Sequence, residues 1–252
     1  MLQTRVIPCL QLINRSLVKT VRFKNPAYIG DPVNTVRIFN ELEVDELCFL
    51  DIRATLEQRS PDMVLLKEIA DECFMPLSYG GGIRDLVTVQ RILAIGFEKV
   101  ILNTAALLDT ALLRSIADKF GSQSLVGAID IRRNLFGKAQ VTVRSGTQTM
   151  GNDPVDCAVQ LVEAGVGELL VSCIDREGTW KGFDTYLVKR IADAVNVPVI
   201  AHGGAGSSDH VREVLSVGGA HAVALGNLLV YQKKGMGVLV NFPQIEQLQN
   251  QK

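Results

Sequence analysis

Two glycine clusters are the first candidates for chemistry. Gly80-Gly81-Gly82 and Gly203-Gly204-Ala205-Gly206 each follow a short apolar run, and Asn103-Thr104 and Gly226-Asn227 follow the next apolar run in each case. Glycine lets the backbone approach a ligand closely, and a following helix offers free N–H groups, which together suit a phosphate. The alternative is that these glycines only turn the chain. Two clusters in equivalent places favour two phosphate sites.

One carboxylate is placed for acid–base work. Asp130 ends the apolar run Gly127-Ala-Ile-Asp, and burial at such a place raises a carboxyl pKa toward neutrality. The alternative is a carboxylate that caps the following loop. Gln11 occupies the equivalent place in Pro8-Cys-Leu-Gln, and an amide cannot shuttle a proton. Asp51 and Asp175 also follow apolar runs, where they could contribute charge or hold a neighbouring loop.

Four further charges stand where apolar runs begin. They are Arg5, Glu46, Lys99 and Glu168. Buried charges are costly unless paired, so these residues are expected to form a ring of two cations and two anions. From spacing alone, a plug that only stabilises the fold is the preferred interpretation.

The histidines and cysteines indicate neither a metal nor a nucleophile. His202, His210 and His221 have no metal-ligand spacing with Cys, Asp or Glu, so we expect no zinc and no other cofactor. Neither a cysteine nor a serine is credibly placed beside a histidine, which argues against a glutaminase or protease nucleophile. The five cysteines are an odd number without a Cys-x-x-Cys pair, and several lie in apolar runs, which suggests reduced core thiols.

The elements that position these residues alternate between strand and helix. The predicted strands are Val6–Leu10, Glu46–Ile52, Leu77–Tyr79, Val100–Leu102, Leu125–Asp130, Glu168–Ser172, Val199–Ala201 and Ala222–Leu225. The predicted helices are Pro32–Leu42, Met63–Cys73, Asp85–Leu93, Asp109–Phe120, Pro154–Ala164, Tyr186–Val195 and Ser207–Val217. Eight such units in this length predict a (βα)8 TIM barrel. An open doubly wound sheet is the alternative, but the turn after the first strand lacks its glycine motif.

An internal repeat supports the barrel. Pro76-Leu-Ser-Tyr-Gly-Gly-Gly matches Pro198-Val-Ile-Ala-His-Gly-Gly, and Val44-Asp-Glu-Leu matches Val166-Gly-Glu-Leu, both at an offset of 122 residues. We therefore predict a single domain over residues 1–252, built from two (βα)4 halves at about 1–122 and 123–252.

Composition excludes several classes of protein. The 252 residues carry 26 Lys+Arg and 27 Asp+Glu, a net charge of −1, which is too balanced for non-specific nucleic-acid binding. No apolar run is long enough to span a bilayer, and Pro8 interrupts the N-terminus before a signal peptide could form. We expect a cytoplasmic protein without nucleic-acid or membrane partners.

These motifs, in this order, resemble the cyclase subunit of imidazole glycerol phosphate synthase. The resemblance covers essentially the whole chain, through Arg5-Val-Ile-Pro-Cys-Leu, Gly30-Asp-Pro, Val44-Asp-Glu-Leu-Cys-Phe-Leu-Asp-Ile, Gly80-Gly-Gly-Ile-Arg, Phe120-Gly-Ser-Gln-Ser, Asp175-Arg-Glu-Gly-Thr and Ile200-Ala-His-Gly-Gly-Ala-Gly. It implies a (βα)8 barrel that takes ammonia from a glutaminase subunit docked at its base. The ammonia condenses with a bis-phosphorylated ribulosyl aminoimidazole-carboxamide ribonucleotide, giving imidazole glycerol phosphate and the aminoimidazole-carboxamide ribonucleotide.

The resemblance also implies roles for particular residues. Asp130 matches the second catalytic aspartate, and Lys19 matches a lysine on a mobile loop after the first strand. The phosphate-binding positions are matched by Gly82, Asn103, Thr104, Gly178, Gly204 and Gly226. The salt-bridge gate through which ammonia enters the barrel is matched by Arg5, Glu46, Lys99 and Glu168. The resemblance therefore favours an ammonia gate over a plug that only stabilises the fold.

Three departures from the family pattern point to specialisation. Gln11 replaces the first catalytic aspartate, Glu177 stands in an Asp-Arg-Asp-Gly-Thr run, and His202 stands in a Ser-Gly-Gly run. The segment 18–32 resembles paralogues tied to surface-polysaccharide loci, whose ammonia converts a sugar acetamido group into an acetamidino group. Two functions stay open: a working cyclase, or a barrel that delivers ammonia to a third, amidating protein.

Overall fold

The strands and helices follow the alternation that the sequence predicts. In this computed structural model, which describes residues 4–242, the strands are β1 (Arg5–Ile13), β2 (Ser16–Val21), β3 (Lys24–Gly30), β4 (Leu47–Asp51), β5 (Leu77–Gly80), β6 (Lys99–Leu102), β7 (Leu125–Arg133), β8 (Ala139–Val143), β9 (Gln148–Thr149), β10 (Glu168–Cys173), β11 (Val199–His202) and β12 (Ala222–Leu225). The helices are α1 (Pro32–Glu41), α2 (Met63–Glu72), α3 (Leu86–Ile95), α4 (Thr104–Leu108), α5 (Thr110–Phe120), α6 (Pro154–Glu163), α7 (Thr185–Ala192), α8 (Ser208–Ser216) and α9 (Asn227–Val230).

A closed parallel barrel forms the centre of the structure. Within residues 4–242, eight strands pair in parallel in the order β1, β4, β5, β6, β7, β10, β11, β12, and β12 pairs back onto β1. An open doubly wound sheet would end in two free edges, so closure excludes that alternative. The predicted (βα)8 barrel is confirmed.

Local sequence explains where the outer helices begin and end. Asp31 caps α1 by accepting a hydrogen bond from the Asn34 backbone N–H, and Pro32 fills the first helical position, where its missing N–H costs nothing. Gly96 and Gly121 end α3 and α5 with positive φ angles, which glycine adopts without strain. The apolar faces of these helices pack on the outside of the barrel, as Val36 and Phe39 of α1 do.

Two β-hairpins stand on the barrel and are absent from the sequence prediction. β2 and β3 form an antiparallel hairpin after β1, and β8 and β9 form another after β7. The resemblance implies a mobile loop around Lys19, but here Lys19 lies within β2 and is buried. The short helices α4 and α9 were also missed, because one turn of helix leaves no periodic pattern.

The loops that precede equivalent helices have nearly the same backbone in the two halves. Asn103 before α4 has φ −112° and ψ −82°, and Gly226 before α9 has φ −109° and ψ −87°. Asp85 and Ser207 cap α3 and α8 with φ of −150° and −160°.

The predicted domain, 1–252, extends past the described residues at both ends.

The inside of the barrel is largely apolar, with the hydroxyl of Ser78 buried beside Cys48. Its lining side chains are Ile7, Cys9, Cys48, Ile101, Val126, Ala128, Leu170, Ile200, Ala222 and Ala224. Cys9 Sγ and Cys48 Sγ lie 3.8 Å apart on adjacent strands. Of the helices described, none is both long and apolar enough to cross a bilayer.

Candidate active site

A cavity of about 510 Å³ opens at the carboxyl ends of the barrel strands. Parallel barrels place catalytic groups at this end because the strand-to-helix loops converge there. Five of the predicted site residues line the cavity: Gln11, Gly82, Asn103, Thr104 and Asp130. The structure therefore brings the acid–base candidate and one glycine cluster to the same mouth.

Asp130 projects from β7 into this mouth. Burial raises the pKa of Asp130 to about 6, although His202 and a hydrogen bond from Ser172 favour the charged form. A carboxyl group with a pKa near 6 can accept or donate a proton near neutral pH. This is the behaviour that a general acid or base requires.

A serine and a histidine stand in line with Asp130. Ser172 is in register with Asp130 on one side and with His202 on the other, and Ser172 Oγ lies 3.0 Å from His202 Nδ1. The expectation that no serine is placed beside a histidine was therefore wrong. The two residues are 30 positions apart and meet only because β10 and β11 are neighbours, a pairing that the predicted strand order already contained.

Gln11 is hydrogen-bonded at both ends of its amide. Its Oε1 accepts from the backbone N–H and from the hydroxyl of Thr20, each at 3.0 Å. Its Nε2 donates to Glu177 Oε1 at 3.4 Å. Gln11 is 2 % exposed, so it joins the first hairpin to the barrel rather than presenting a free group to the cavity.

Glu177 is the residue whose role the sequence analysis missed. It is buried, it forms an ion pair with Lys19, and it accepts a hydrogen bond from Phe23 N at 3.1 Å. Thr20 Oγ1, whose one proton goes to Gln11 Oε1,, lies 3.1 Å from Glu177 Oε1. The sequence marked Glu177 as a departure from the family pattern. It gave no sign of the partner, which lies 158 residues earlier in the chain.

The two glycine clusters lie on opposite sides of the mouth. Gly82 has φ +69°, and a Cβ there would lie 2.5 Å from the backbone oxygen of Arg59, so only glycine fits. The second cluster surrounds a separate cavity of about 10 Å³, lined by Lys19, Gly178, Gly204 and Gly226 among others. All predicted phosphate-binding positions thus lie at the mouth, but they are divided between two cavities.

Asp51 and Asp175 hold loops. Asp51 accepts hydrogen bonds from the backbone N–H groups of Arg53 and Ala54 and pairs with Arg59 at 3.2 Å. Asp175 accepts a 2.7 Å hydrogen bond from the backbone N–H of Arg133. Of the two interpretations left open for these carboxylates, these contacts support the structural one.

A ring of ion pairs closes the opposite end of the barrel. Arg5 reaches Glu46 and Glu168 at 2.8 Å each. Lys99 reaches the same two carboxylates at 3.2 and 3.1 Å. Each cation contacts both anions, so the four side chains form the closed ring that their positions at the strand starts predict.

Comparison with known proteins shows the family of this barrel. The profile of the family described as "Histidine biosynthesis protein" matches residues 5–235, which is most of the chain. The chain belongs to this histidine biosynthesis family.

Relatives of this family member match it from end to end. A Pseudomonas aeruginosa protein named "Putative imidazole glycerol phosphate synthase subunit hisF2" is 51 % identical over 248 residues, covering 98 % of this chain and 99 % of that protein. A HisF relative from Leptospira interrogans is 42 % identical over 98 % of this chain and 97 % of its own. A hisF3 relative from Vibrio vulnificus is 40 % identical, with coverages of 96 % and 94 %.

In this member of the histidine biosynthesis family, the mouth holds one acid–base candidate with polar neighbours. Among residues 4–242, no three His, Cys, Asp or Glu side chains are grouped to hold a metal ion. Asp130, with Ser172 and His202 beside it, is the group at the mouth that is placed to exchange a proton.

Proposed function

We propose that this chain is the cyclase-type subunit of a complex of the imidazole glycerol phosphate synthase type. A glutaminase subunit docks at the base of the barrel, and its ammonia enters through the ring of Arg5, Glu46, Lys99 and Glu168. The ammonia then reaches a phosphorylated ligand at the mouth. The closed ring is the observation that carries this proposal, because charges so placed at strand starts are costly for a fold that needs only stability.

The barrel interior is suited to conducting a neutral molecule. Between the ring and the mouth the lining is mostly apolar side chains and the thiols of Cys9 and Cys48, with the buried hydroxyl of Ser78 beside Cys48. An ammonium ion would lose its hydration there without a compensating charge, at a cost of several kcal/mol. Neutral ammonia would lose much less hydration free energy. The ring and the interior therefore both support conduction of NH₃ from base to mouth.

The mouth supports a specialised form of the reaction. Asp130 supplies one acid–base group, whereas Gln11 supplies an amide already bonded to Thr20 and Glu177. Loss of one essential acid or base lowers a rate by about 10²–10⁴-fold. A phosphorylated acceptor still fits beside Gly82, Asn103 and Thr104, where the cavity is open.

A second candidate is ammonia delivery to a third, amidating protein that acts on a sugar acetamido group. The resemblance of segment 18–32 to polysaccharide-linked paralogues suggests this acceptor. The candidate is favoured by the engagement of both Gln11 and Lys19 with Glu177, which withdraws two groups from cyclase chemistry. The barrel would then conduct ammonia with little turnover of its own.

The gate is tested by comparing two sources of ammonia. The chain is combined with a glutaminase subunit, and consumption of the ribulosyl substrate is measured with glutamine or with ammonium salt. Lys99→Ala should change the glutamine-driven rate more than the ammonium-driven rate, while the exposed Lys67→Ala should change neither. Equal effects of Lys99→Ala on the two rates would overturn the gate.

The same assay separates the two candidates. With excess ammonium salt and no glutaminase, clear turnover of the ribulosyl substrate by the natural chain supports the cyclase. Absence of turnover in the natural chain, with turnover gained by Gln11→Asp, supports ammonia delivery to another acceptor.

A further inference from the structure

Ser172 connects Asp130 with His202 at the mouth of the barrel. It is in register with Asp130 of β7 on one side and with His202 of β11 on the other. Its hydroxyl donates a hydrogen bond to the Asp130 carboxylate, and its oxygen lies 3.0 Å from Nδ1 of His202. A hydroxyl has one proton and two lone pairs, so the Ser172 oxygen accepts from Nδ1. The imidazole and the carboxyl group are therefore joined by two successive hydrogen bonds.

These two hydrogen bonds lie at the cavity but are shielded from bulk water. Asp130, Ser172 and His202 all line the cavity of about 510 Å³. Ser172 is nevertheless 2 % exposed and His202 is 5 % exposed. Hydrogen bonds are electrostatically stronger in such surroundings than in water. A proton can thus pass between the three side chains without a solvent molecule between them.

Gln11 leaves the mouth without a second carboxylate. The amide cannot carry a proton, and it is already bonded to Thr20 and Glu177. His202 on β11 is separated from Gln11 on β1 by one strand, β12, and from Asp130 on β7 by one strand, β10. A titratable ring therefore lies between the carboxyl group that is present and the position where the resemblance implies another.

The charged groups around His202 favour its protonated form. Burial lowers the pKa of His202, whereas the charge of Cys9 and a hydrogen bond with it raise the pKa, and the net shift is upward. Lys19 opposes the charged ring and Glu177 favours it. Asp130 faces His202 across the serine, and the two groups favour each other's charged forms. His202 can therefore hold a proton at a pH where Asp130, with a pKa of about 6, releases one.

We propose that Asp130, Ser172 and His202 form a proton relay in which His202 is the second proton carrier of the mouth, in place of Gln11. This rests on the proposed function in its form as a working cyclase. When Asp130 gives its proton to the ligand, the Ser172 hydroxyl proton moves to Asp130 and the Nδ1 proton of His202 moves to Ser172. The imidazolium becomes a neutral imidazole and regains a proton from water at the open mouth. The reverse transfers clear a proton that Asp130 has taken from the ligand.

Turnover of the ribulosyl substrate with ammonium salt and no glutaminase tests the relay. His202→Gln removes the titrating ring, so kcat should fall about 10²-fold or more, while KM should stay within about three-fold. Gln11→Asp added to this variant should restore kcat at least about ten-fold, because it supplies a second acid–base group. His221→Gln is the control, since this exposed histidine precedes β12 at the opposite end of the barrel, and it should change neither kcat nor KM.

Ser172 variants separate a relay from a structural role. Ser172→Ala removes the hydroxyl and should lower kcat as much as His202→Gln does, whereas Ser172→Thr keeps the hydroxyl and should retain most of the activity. At constant free NH₃, the rate of the natural chain should fall above pH 6.5 as His202 loses its proton. This limb of the pH–rate profile should be absent from His202→Gln and from Ser172→Ala. Melting temperatures identify any variant that fails to fold.

A ¹⁵N NMR titration of the histidine-labelled chain follows His202 without turnover. The pKa of His202 should be lower in Asp130→Asn than in the natural chain, because a carboxylate that favours the charged ring is lost. An unchanged pKa would overturn the coupling on which the relay depends.

The kinetic outcomes also distinguish the relay from the proposed function. Unchanged kcat in His202→Gln, equal losses in Ser172→Ala and Ser172→Thr, or a rise in KM alone, as for a residue that only binds phosphate, would each overturn the relay. No turnover by the natural chain, with turnover by Gln11→Asp, would overturn the relay and leave ammonia conduction intact. No turnover by either chain would overturn the relay together with the proposed ribulosyl substrate.

Discussion

Ser172 Oγ and His202 Nδ1 lie 3.0 Å apart on neighbouring strands at the barrel mouth. A hydroxyl group has one proton to give, and Ser172 uses it to stabilise the charged Asp130. His202 then donates from Nδ1 to the serine oxygen, and the neighbouring Cys9 raises the pKa of His202 against the effect of burial. The serine thereby orients the ring of a histidine that lines the cavity.

Asp130→Asn should abolish turnover at the mouth, because an amide has no titratable proton. Phosphate affinity should stay within a few-fold of that of the natural chain, because the amide has the same size as the carboxyl group. The natural chain should show a limb near pH 6 in its pH–rate profile, where Asp130 titrates,. Rates and phosphate affinity are measured over pH 5–8. Full activity in the variant would exclude Asp130 as the acid or base.

The same variant should change how stability depends on pH. The pKa of Asp130 is raised from 3.8 to about 6 in the folded state, so the folded chain holds its proton more tightly than the unfolded chain. The stabilisation from this proton is fully present below about pH 4 and is lost as the pH rises through 6. The total loss in unfolding free energy is up to about 3 kcal/mol. Denaturant titrations should show Asp130→Asn gaining stability relative to the natural chain between pH 4 and pH 7, and parallel curves would contradict this.

Glu46→Gln should destabilise the base of the barrel. Glu46 contacts both Arg5 and Lys99, and loss of one partner from a buried ion pair costs about 3–5 kcal/mol. Arg5 is partly exposed, which moderates the loss. The matched control is Glu68→Gln, whose partner Arg15 is at the surface and which should cost less than about 1 kcal/mol. Similar unfolding free energies for the two variants would contradict the burial argument.

Gly82→Ala should damage the glycine cluster at Gly80–Gly82 more than backbone strain alone explains. The new Cβ would lie 2.5 Å from the Arg59 backbone oxygen, and the positive φ adds roughly 1–2 kcal/mol. Gly137→Ala has φ +77° with nothing within 4 Å, so it carries the strain without the clash. Thermal melts and phosphate dialysis should show a larger loss for Gly82→Ala, and equal losses would indicate that strain dominates.

Gln11→Asp should be less stable at pH 8 than at pH 5. The introduced carboxylate would lie close to Glu177, and burial with a like charge raises its pKa, so stability is lost as the pH rises and it ionises. Gln11→Asn, which stays neutral, is the control and should show no such trend. Melting temperatures of both variants across this pH range test the prediction. A difference in melting temperature that does not change with pH would contradict it.

Much of the fold follows from local pattern. Asp31 with Pro32 marks a helix start, Gly96 and Gly121 mark helix ends, and the apolar runs mark the barrel strands. The (βα)8 architecture and the ring at its base follow from the order of these elements, because parallel strands gather their starts at one end and their ends at the other.

The rest depends on contacts that no local window contains. The first hairpin carries little apolar alternation in Lys24–Gly30, so its strand pairing comes from β2 and from Glu177. Ser172 and His202 meet through strand neighbours. Lys19 and Glu177 combine a lysine expected to bind substrate with a glutamate noted only as a departure, and the distance between them in sequence concealed the pair.

The ring at the base is a cycle of four contacts, since Arg5 and Lys99 each touch both Glu46 and Glu168. In a linear series of contacts, loss of an inner residue separates the residues on its two sides. In a cycle, the remaining residues stay connected. If Lys99 leaves, Arg5 still bridges the two glutamates. Under the proposed function, Lys99 can therefore swing aside to admit ammonia while Arg5, Glu46 and Glu168 stay connected and keep the shape of the entrance.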